Sequence, residues 1–153
     1  MKYCAAKLVV LTLLLSFTVS VSASAGQFKA LFGDEFAMVD LTLTEVGPIE
    51  VGLVGAVDYF VSQSRPLANY HLDIKEDYEG LLFKAYVPMN APVKLYGAYK
   101  PMVRAMDFNR LYNVLEAGVE IPINACLSVG AAYQYCDKFT NDDRFLLTTS
   151  WMF

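Results

Sequence analysis

The chain has 153 residues, of which 56% are hydrophobic, and a formal net charge of -4. This length accommodates one domain. The acidic balance excludes the basic surface that nucleic-acid binding requires, so no nucleic-acid partner is expected.

The N-terminus has the pattern of a secretory signal peptide. Lys2 and Lys7 are followed by an apolar stretch and then by Ala23-Ser24-Ala25, whose small residues suit signal peptidase. The apolar stretch is shorter than the roughly 20 residues that a membrane-spanning helix needs. We therefore predict a cleaved signal peptide at 1–25 and a mature domain at 26–153. Loss of its two lysines lowers the net charge by two, to about -6.

Apolar residues recur at every second position over most of the mature chain, which is the period of β-strands. Seven strands are predicted from this pattern: Phe36–Val46, Glu50–Ser62, Tyr78–Val87, Val93–Arg104, Arg110–Ile121, Ala125–Cys136 and Arg144–Phe153. A first strand, Gln27–Gly33, is weakly patterned. It is inferred because eight strands close a barrel whose two chain ends lie on one side.

The apolar face of all seven patterned strands falls on odd-numbered residues. In one of them, Leu111 and Leu115 share a face that excludes Tyr112 and Glu116. In an antiparallel hairpin, the residue numbers of any two opposed residues add up to the same value. When that sum is even, odd-numbered residues oppose odd-numbered residues, and the odd faces of both strands lie on one side of the sheet. The shared parity therefore predicts an all-β fold, an antiparallel up-and-down barrel of about eight strands.

Several features favour lipid, rather than a core, next to the odd face. Aromatic residues of that face predict a membrane girdle, formed by Tyr59, Tyr99, Tyr133, Tyr135, Phe145 and Trp151. The even face carries large residues such as Tyr96, which suit a packed narrow lumen. Three connections are short, whereas the predicted loop 63–77 is long, as in barrels with short periplasmic turns and longer outer loops. The pattern thus favours a transmembrane barrel.

The mature chain resembles the small eight-stranded bacterial outer-membrane barrels, the group of the OmpA transmembrane domain. Its last strand alternates Phe145, Leu147, Thr149, Trp151 and Phe153. Trp151 and the terminal Phe153 are similar to the assembly signal that such proteins present to the barrel-assembly machinery. The resemblance implies a porin-like protein of the Gram-negative cell envelope that contacts the lipid bilayer and lipopolysaccharide. It also implies periplasmic N- and C-termini and no cofactor.

An even-numbered lumen face would enclose charges of both signs. We predict an ion-pair network formed by Asp40, Asp58, Lys84, Lys94, Lys100, Glu116 and Glu120. The register places Lys94 opposite Glu120 and Lys100 diagonal to Glu116. Because buried charges need partners, we interpret the network as a structural plug. A path for protons or small ions is the alternative.

The sequence predicts no catalytic residue and no metal site. His71 is the single histidine, in the predicted loop 63–77, and no spacing supports a nucleophile, base and acid around it. Barrels that remove acyl chains from lipid A carry a His-x-Ser motif, but the third position here is Asp73. Cys126 and Cys136 are predicted at opposite ends of one strand, too far apart for a disulfide.

The expected function is that of a non-enzymatic integral outer-membrane protein with a packed, ion-paired lumen. Its outer loops, at 63–77, 106–109 and 137–143, would serve surface interaction or membrane integrity. One alternative is a soluble periplasmic barrel that binds an apolar ligand inside and carries its charges outside. Another is a lipid-modifying enzyme of the outer membrane that uses His71.

Overall fold

The computed structural model describes residues 26–64, 69–105, 107–136 and 143–153, with side chains described except at 60–64, 69–73 and 108. The predicted signal peptide lies outside these ranges. Eight antiparallel strands form a closed barrel, with bounds β1 Gln27–Gly33, β2 Phe36–Val46, β3 Ile49–Ser64, β4 Asn69–Tyr86, β5 Lys94–Arg104, β6 Asp107–Pro122, β7 Leu127–Cys136 and β8 Asp143–Met152. No helix in the described ranges is long and apolar enough to cross a membrane.

Each strand pairs with the next along the chain, and β1 closes the barrel against β8. The predicted eight-stranded meander is confirmed, and the bounds of β1 and β2 are those predicted. We call the end that carries both chain termini the terminal end. The opposite end, which carries the connection between β3 and β4, is the hairpin end.

The predicted loop 63–77 is wrong, because most of it is strand. β4 begins at Asn69 rather than Tyr78 and pairs with β3 up to Ser64. A bulge where Tyr59 pairs with Ile74 leaves one extra residue in β4. Beyond that bulge, odd-numbered residues of β3 pair with even-numbered residues of β4, as Tyr59 does with Ile74. The change of phase interrupts the alternation, and the sequence pattern therefore resembles a loop.

Together β3 and β4 form a hairpin that extends past its neighbours. β2 pairs with β3 only as far as Asp58, and β5 pairs with β4 only as far as Tyr78. Six further pairs join β3 and β4 beyond Asp58. At about 3.3 Å per residue, this projecting hairpin reaches roughly 20 Å past the barrel. His71 lies within it, paired with Ser62, and not in a loop.

The connections do not have the predicted asymmetry of length. Those at the terminal end occupy 47–48, 87–93 and 123–126, and those at the hairpin end occupy 34–35, 65–68, 105–106 and 137–142. The longest lies at the terminal end. The two ends differ instead by the projecting hairpin.

Three of the hairpins contain a bulge that keeps even-numbered residues inside. Gly47, at φ 63°, begins the two-residue turn 47–48, a place in hairpin turns where glycine is favoured. A two-residue turn pairs odd with even positions, as in Val46 with Ile49. The bulge between Thr42 and Thr44 restores the pairing of even-numbered residues with even-numbered residues. The β3–β4 and β5–β6 hairpins are corrected in the same way.

The β1–β2 hairpin has a two-residue turn and no such bulge. Gly33 pairs with Phe36, and the register continues unbroken to Gln27. Odd residues of β1 therefore share the inner face with even residues of β2. Lys29 and Leu31 are accordingly buried in the lumen, at 1% and 0% exposure. The apolar Leu31 shares this inner face with Lys29, so polar and apolar residues do not separate cleanly between the two faces of β1.

The large apolar side chains of the odd face lie outside the barrel, and six charged strand residues are buried inside it. Large exposed apolar side chains of the odd face include Leu53, Leu81, Phe83, Leu95, Leu115, Val129 and Leu147. Lys84, Lys100 and Glu120 are at most 1% exposed. A soluble barrel with an apolar ligand inside requires the reverse arrangement. The structure therefore contradicts that alternative.

Cys126 and Cys136 form no disulfide with each other, and they differ in exposure. Cys126 precedes β7 and is exposed, whereas Cys136 ends β7 and is buried. Cys126 thus lies outside the strand in which we predicted it. Two thiols at opposite ends of β7 cannot form a disulfide without a large backbone movement.

We expect a maleimide reagent to modify Cys126 in the folded protein and Cys136 only after denaturation, because burial denies the reagent access to Cys136. Mass spectrometry of proteolytic peptides from protein labelled before and after denaturation measures both sites. Equal labelling of the two thiols in the folded protein would contradict the strand position given to Cys136.

Candidate functional site

Six charged side chains meet inside the barrel, and none is more than 4% exposed. We call this group the lumen network; its members are Lys29, Asp40, Lys84, Lys100, Glu116 and Glu120. They come from β1, β2, β4, β5 and β6. A narrow eight-stranded barrel lets side chains from opposite walls meet.

The centre of the lumen network is the ion pair between Lys100 and Glu116. Lys100 Nζ lies 2.5 Å from Glu116 Oε2 and 2.7 Å from Asp40 Oδ2. Gln134 Nε2 donates to the same Glu116 oxygen at 2.5 Å, and the Tyr96 hydroxyl donates to Glu116 Oε1 at 2.7 Å. Hydrogen bonds to charged groups are among the stronger ones in proteins. Glu116 of β6 is therefore connected to β5 and β7, and Lys100 extends the contact to Asp40 of β2.

Lys29 brings β1 into the lumen network. Its Nζ lies 3.0 Å from Glu120 Oε1, 3.6 Å from Glu116 Oε1 and 3.5 Å from the centre of the Tyr96 ring. The last contact is a cation–π interaction. Tyr96 pairs with Gly118, and a β-carbon at that glycine would collide with the Tyr96 ring. The missing side chain of Gly118 thus leaves the ring its place beside Lys29.

Lys84 connects the lumen network to the terminal end. Its Nζ lies 2.6 Å from Glu50 Oε2 and donates to Gln27 Oε1 at 2.5 Å and to the Tyr86 hydroxyl at 3.1 Å. That hydroxyl donates to Glu120 Oε2 at 3.0 Å. The Glu50 side chain is 14% exposed, so this group lies near the mouth of the lumen.

An apolar layer fills the lumen between the network and the hairpin end. Its members are at most 1% exposed and include Leu31, Phe36, Met38, Met102, Val114 and Leu146. Met38 Sδ borders the two regions, since it accepts hydrogen bonds from Lys100 and Gln134. Beyond the layer, Arg144 pairs with Asp58 at 3.0 Å. The apolar layer therefore separates the charges of the network from the hairpin end.

Two residues of the predicted network lie elsewhere. Asp58 belongs to the rim pair with Arg144. Lys94 is opposite Glu120 in the register, as predicted, but its side chain is exposed and Nζ lies 5.7 Å from the Tyr86 ring. Lys29 takes the place beside Glu120 that we predicted for Lys94. The two-residue spacing between Gly33 and Phe36 is the signal that could have indicated Lys29.

The predicted girdle residues of β5, β7 and β8 point outward. Tyr133 and Phe145 pack edge to face near the hairpin end, with ring centres 6.5 Å apart. Trp151 lies near the terminal end and pairs with Phe28 of β1. Tyr99 sits near the middle of β5 rather than at a rim. Exposure in the girdle ranges from 40% at Tyr99 to 72% at Phe145, apart from the half-buried Tyr59.

An open cleft of about 480 Å³ lies at the hairpin end. Its lining includes acidic Asp34, Glu35 and Glu76 together with Lys75 and Arg144. Within the described ranges, no three His, Cys, Asp or Glu residues are placed to hold a metal ion. The side chain of His71 lies outside the described part of the chain.

No family model and no curated protein matches the sequence. Among solved structures, the outer-membrane protein Ail of Yersinia pestis in a phospholipid nanodisc aligns with a TM-score of 0.54 at 11% identity, over 84% of this chain and 99% of Ail. A de novo designed transmembrane β-barrel aligns with a TM-score of 0.55 at 10% identity, over 84% and 95%. The chain has the fold of a small outer-membrane β-barrel. At this identity the likeness concerns the fold alone.

The interior of a small outer-membrane barrel is narrow, so each buried charge depends on its neighbouring charges for stabilisation. We expect Glu116→Gln to lower the free energy of unfolding in detergent by about 3–5 kcal/mol, because it leaves Lys100 and Lys29 without their shared carboxylate. Urea titration measures the change. The control is Glu45→Gln at an exposed position, where about 0.5 kcal/mol or less is expected. Equal effects of the two substitutions would refute a stabilising role for Glu116.

Tyr96 and Tyr99 allow a matched comparison on one strand. Each hydroxyl donates at 2.7 Å, Tyr96 to the buried Glu116 carboxylate and Tyr99 to the exposed Asn113 amide. We expect Tyr96→Phe to cost about 1.5–3 kcal/mol, because the acceptor is charged and buried, and Tyr99→Phe to cost less than about 0.5 kcal/mol. The same urea titration checks both values, and a larger cost for Tyr99→Phe would count against the lumen network.

Proposed function

We propose that the protein is an integral outer-membrane barrel protein without catalytic activity. The observation that supports this most directly is the distribution of side chains, with apolar residues outside and the lumen network inside. A closed barrel satisfies its backbone hydrogen bonds internally, as a lipid environment requires. Leu115, Leu147 and Phe145, each more than half exposed, would cost free energy in water and fit a hydrocarbon layer.

The lumen is proposed to be a structural plug rather than a path for protons or ions. Leu31, Met38 and Leu146 are fully buried side chains on the hairpin side of the network. A continuous ion path would have to cross this apolar layer, which offers no ligand to a charge. The charged groups of the network are better supported as cross-links between strands.

The projecting hairpin is proposed as the surface that meets other molecules. Both chain termini would then lie in the periplasm and the hairpin end would face outward, next to lipopolysaccharide. The charged cleft lies between the β1–β2 turn and the base of this hairpin, where Glu35 and Lys75 form an exposed ion pair at 3.6 Å. Surface interaction and support of membrane integrity are the roles that suit this arrangement.

The C-terminal strand is proposed to carry the assembly signal. Trp151 and Phe153 are 49% and 60% exposed, so both remain accessible from outside the barrel. The backbone nitrogen of Phe153 donates to Gly26 O at 3.1 Å, where the last strand meets the first. Recognition of β8 by the barrel-assembly machinery would thus act on the strand that closes the barrel.

Trp151, the single tryptophan, provides the test of membrane insertion. We expect lipids with brominated acyl chains to quench its fluorescence in refolded proteoliposomes, and aqueous iodide to quench it weakly, because Trp151 faces outward at the level of the bilayer. A spectrum that iodide quenches and brominated lipid does not would overturn the proposal.

The matched control moves the tryptophan into the lumen. In the double variant Trp151→Phe, Tyr112→Trp, the indole replaces a ring that is 7% exposed and faces the interior. Brominated lipid should quench this variant much less than the parent protein. Equal quenching of both would show that the outward and inward faces are wrongly assigned.

A further inference from the structure

The three turns at the terminal end expose large apolar side chains. We call this group the apolar rim; its members are Val46, Ile49, Val87, Met89, Ile121 and Ile123. Each is between 41% and 63% exposed, and they lie within or border the turns 47–48, 87–93 and 123–126. Exposed apolar patches of this kind mark surfaces that meet another molecule or a membrane.

The same turns carry no charge. None of the residues at 46–49, 87–93 and 121–126 is Asp, Glu, Lys, Arg or His. Three of the four connections at the hairpin end do contain charged residues, among them Asp34 and Glu35. Because charged side chains are the ones that most favour contact with water, the two ends of the barrel suit different surroundings.

Most backbone N–H groups of the turn 123–126 find their acceptors within the same hairpin. The preceding Pro122 has no N–H group. The nitrogens of Ile123 and Asn124 donate to Leu127 O at 2.8 and 3.2 Å. Those of Cys126 and Leu127 donate to Asn124 Oδ1, each at 2.8 Å. These donors therefore need no water, which is the condition for entering a lipid environment.

The apolar rim continues the outward apolar surface of the strands. Ile121 pairs with Val129, and both are exposed on the outer face. Ile49 pairs with Ala85 on that same face. Phe153, at the seam between β8 and β1, is also exposed. The apolar surface of the wall thus extends into the turns.

The height of the wall matches the apolar part of a membrane. β5, β7 and β8 have 11, 10 and 10 residues. At about 3.3 Å per residue and a tilt of roughly 40°, such strands rise about 25 Å. The outward apolar band of membrane barrels is also about 25 Å tall. A bilayer that covers these strands therefore reaches the turns at the terminal end.

We propose that the apolar rim is embedded in the membrane leaflet at the terminal end, at the boundary between lipid headgroups and acyl chains. This inference rests on the membrane insertion proposed above and adds the depth at which the barrel sits. Burial of the aliphatic side chains there is favourable, and the uncharged turns have no charge to desolvate. A protein partner would have to cover turns on several sides of the barrel, whereas the bilayer already surrounds it.

A tryptophan placed in the apolar rim tests this depth. In the double variant Trp151→Phe, Ile123→Trp, the single indole reports from the turn 123–126. The protein is refolded into phosphatidylcholine vesicles whose acyl chains are brominated near the carbonyl end or near the methyl end, and iodide is supplied on both sides. We expect bromine near the carbonyl end to quench this indole most, bromine near the methyl end less, and iodide least.

The matched control carries the indole in the projecting hairpin. In the double variant Trp151→Phe, His71→Trp, it lies on β4 opposite Ser62, beyond the pairing of β3 and β4 with their other neighbours. Iodide should quench this variant strongly and both brominated lipids weakly. The control shows whether the position, rather than the preference of tryptophan for membrane interfaces, determines the result. If Ile123→Trp fails to fold, Met89→Trp tests the turn 87–93 in the same way.

Two results would overturn the inference. If iodide quenches the Ile123→Trp variant as strongly as the control, the apolar rim stands in water. If neither iodide nor brominated lipid quenches it, a second copy of the chain covers the rim instead. Trp151 of the unchanged protein separates this inference from the proposed function. Failure of brominated lipid to quench Trp151 refutes insertion itself, whereas quenching of Trp151 but not of the Ile123→Trp variant refutes only the depth.

Discussion

The interior of the barrel depends on the carboxylate of Glu116. It accepts from Lys100, Tyr96 and Gln134, and Lys29 Nζ lies 3.6 Å away. These partners come from β1, β5 and β7, so one side chain of β6 holds together parts of the wall that are far apart in sequence. A buried charge without partners is costly, whereas a fully satisfied network fixes one arrangement. Closure of β1 is therefore coupled to charge pairing, because Lys29 meets its carboxylates only in the closed barrel.

This coupling requires that every strand present the correct face to the lumen. A shift of one residue would place Lys100 or Glu116 in the apolar exterior, at a cost of several kcal/mol. Three hairpins have turns that would reverse the faces, and each contains a bulge that corrects them. The β1–β2 hairpin has none, and there the polar residues occupy odd positions instead. Turn length, bulges and the positions of the polar residues thus agree on which face of each strand is turned toward the lumen.

The alternation of residues was sufficient to predict the barrel, its strand order and the outward direction of the odd face in β2 to β8. It was insufficient wherever the inward-facing residues changed between even-numbered and odd-numbered positions. Lys29 was missed because β1 is joined to β2 by a two-residue turn that no bulge corrects, and Lys94 was assigned to the lumen because cross-strand register does not determine exposure near a strand end. The β4 extension was missed because the bulge beside Ile74 shifts the pattern by one residue. These features depend on pairing geometry, which no single segment of sequence contains.

Strand length separates the part of the molecule that fits a bilayer from the part that extends beyond it. A transmembrane strand needs about 9–11 residues, and β2, β5, β7 and β8 have 11, 11, 10 and 10. β3, β4 and β6 have 16, 18 and 16 residues, and it is the six pairs between β3 and β4 beyond Asp58 that form the projecting hairpin. A hairpin paired only with itself has two strand edges free of barrel neighbours, and such edges present backbone groups that can pair with another chain. The packed lumen makes the barrel a rigid base for that hairpin, so the surface interaction proposed above would involve the hairpin end, while the stabilising charge pairs lie within the lumen.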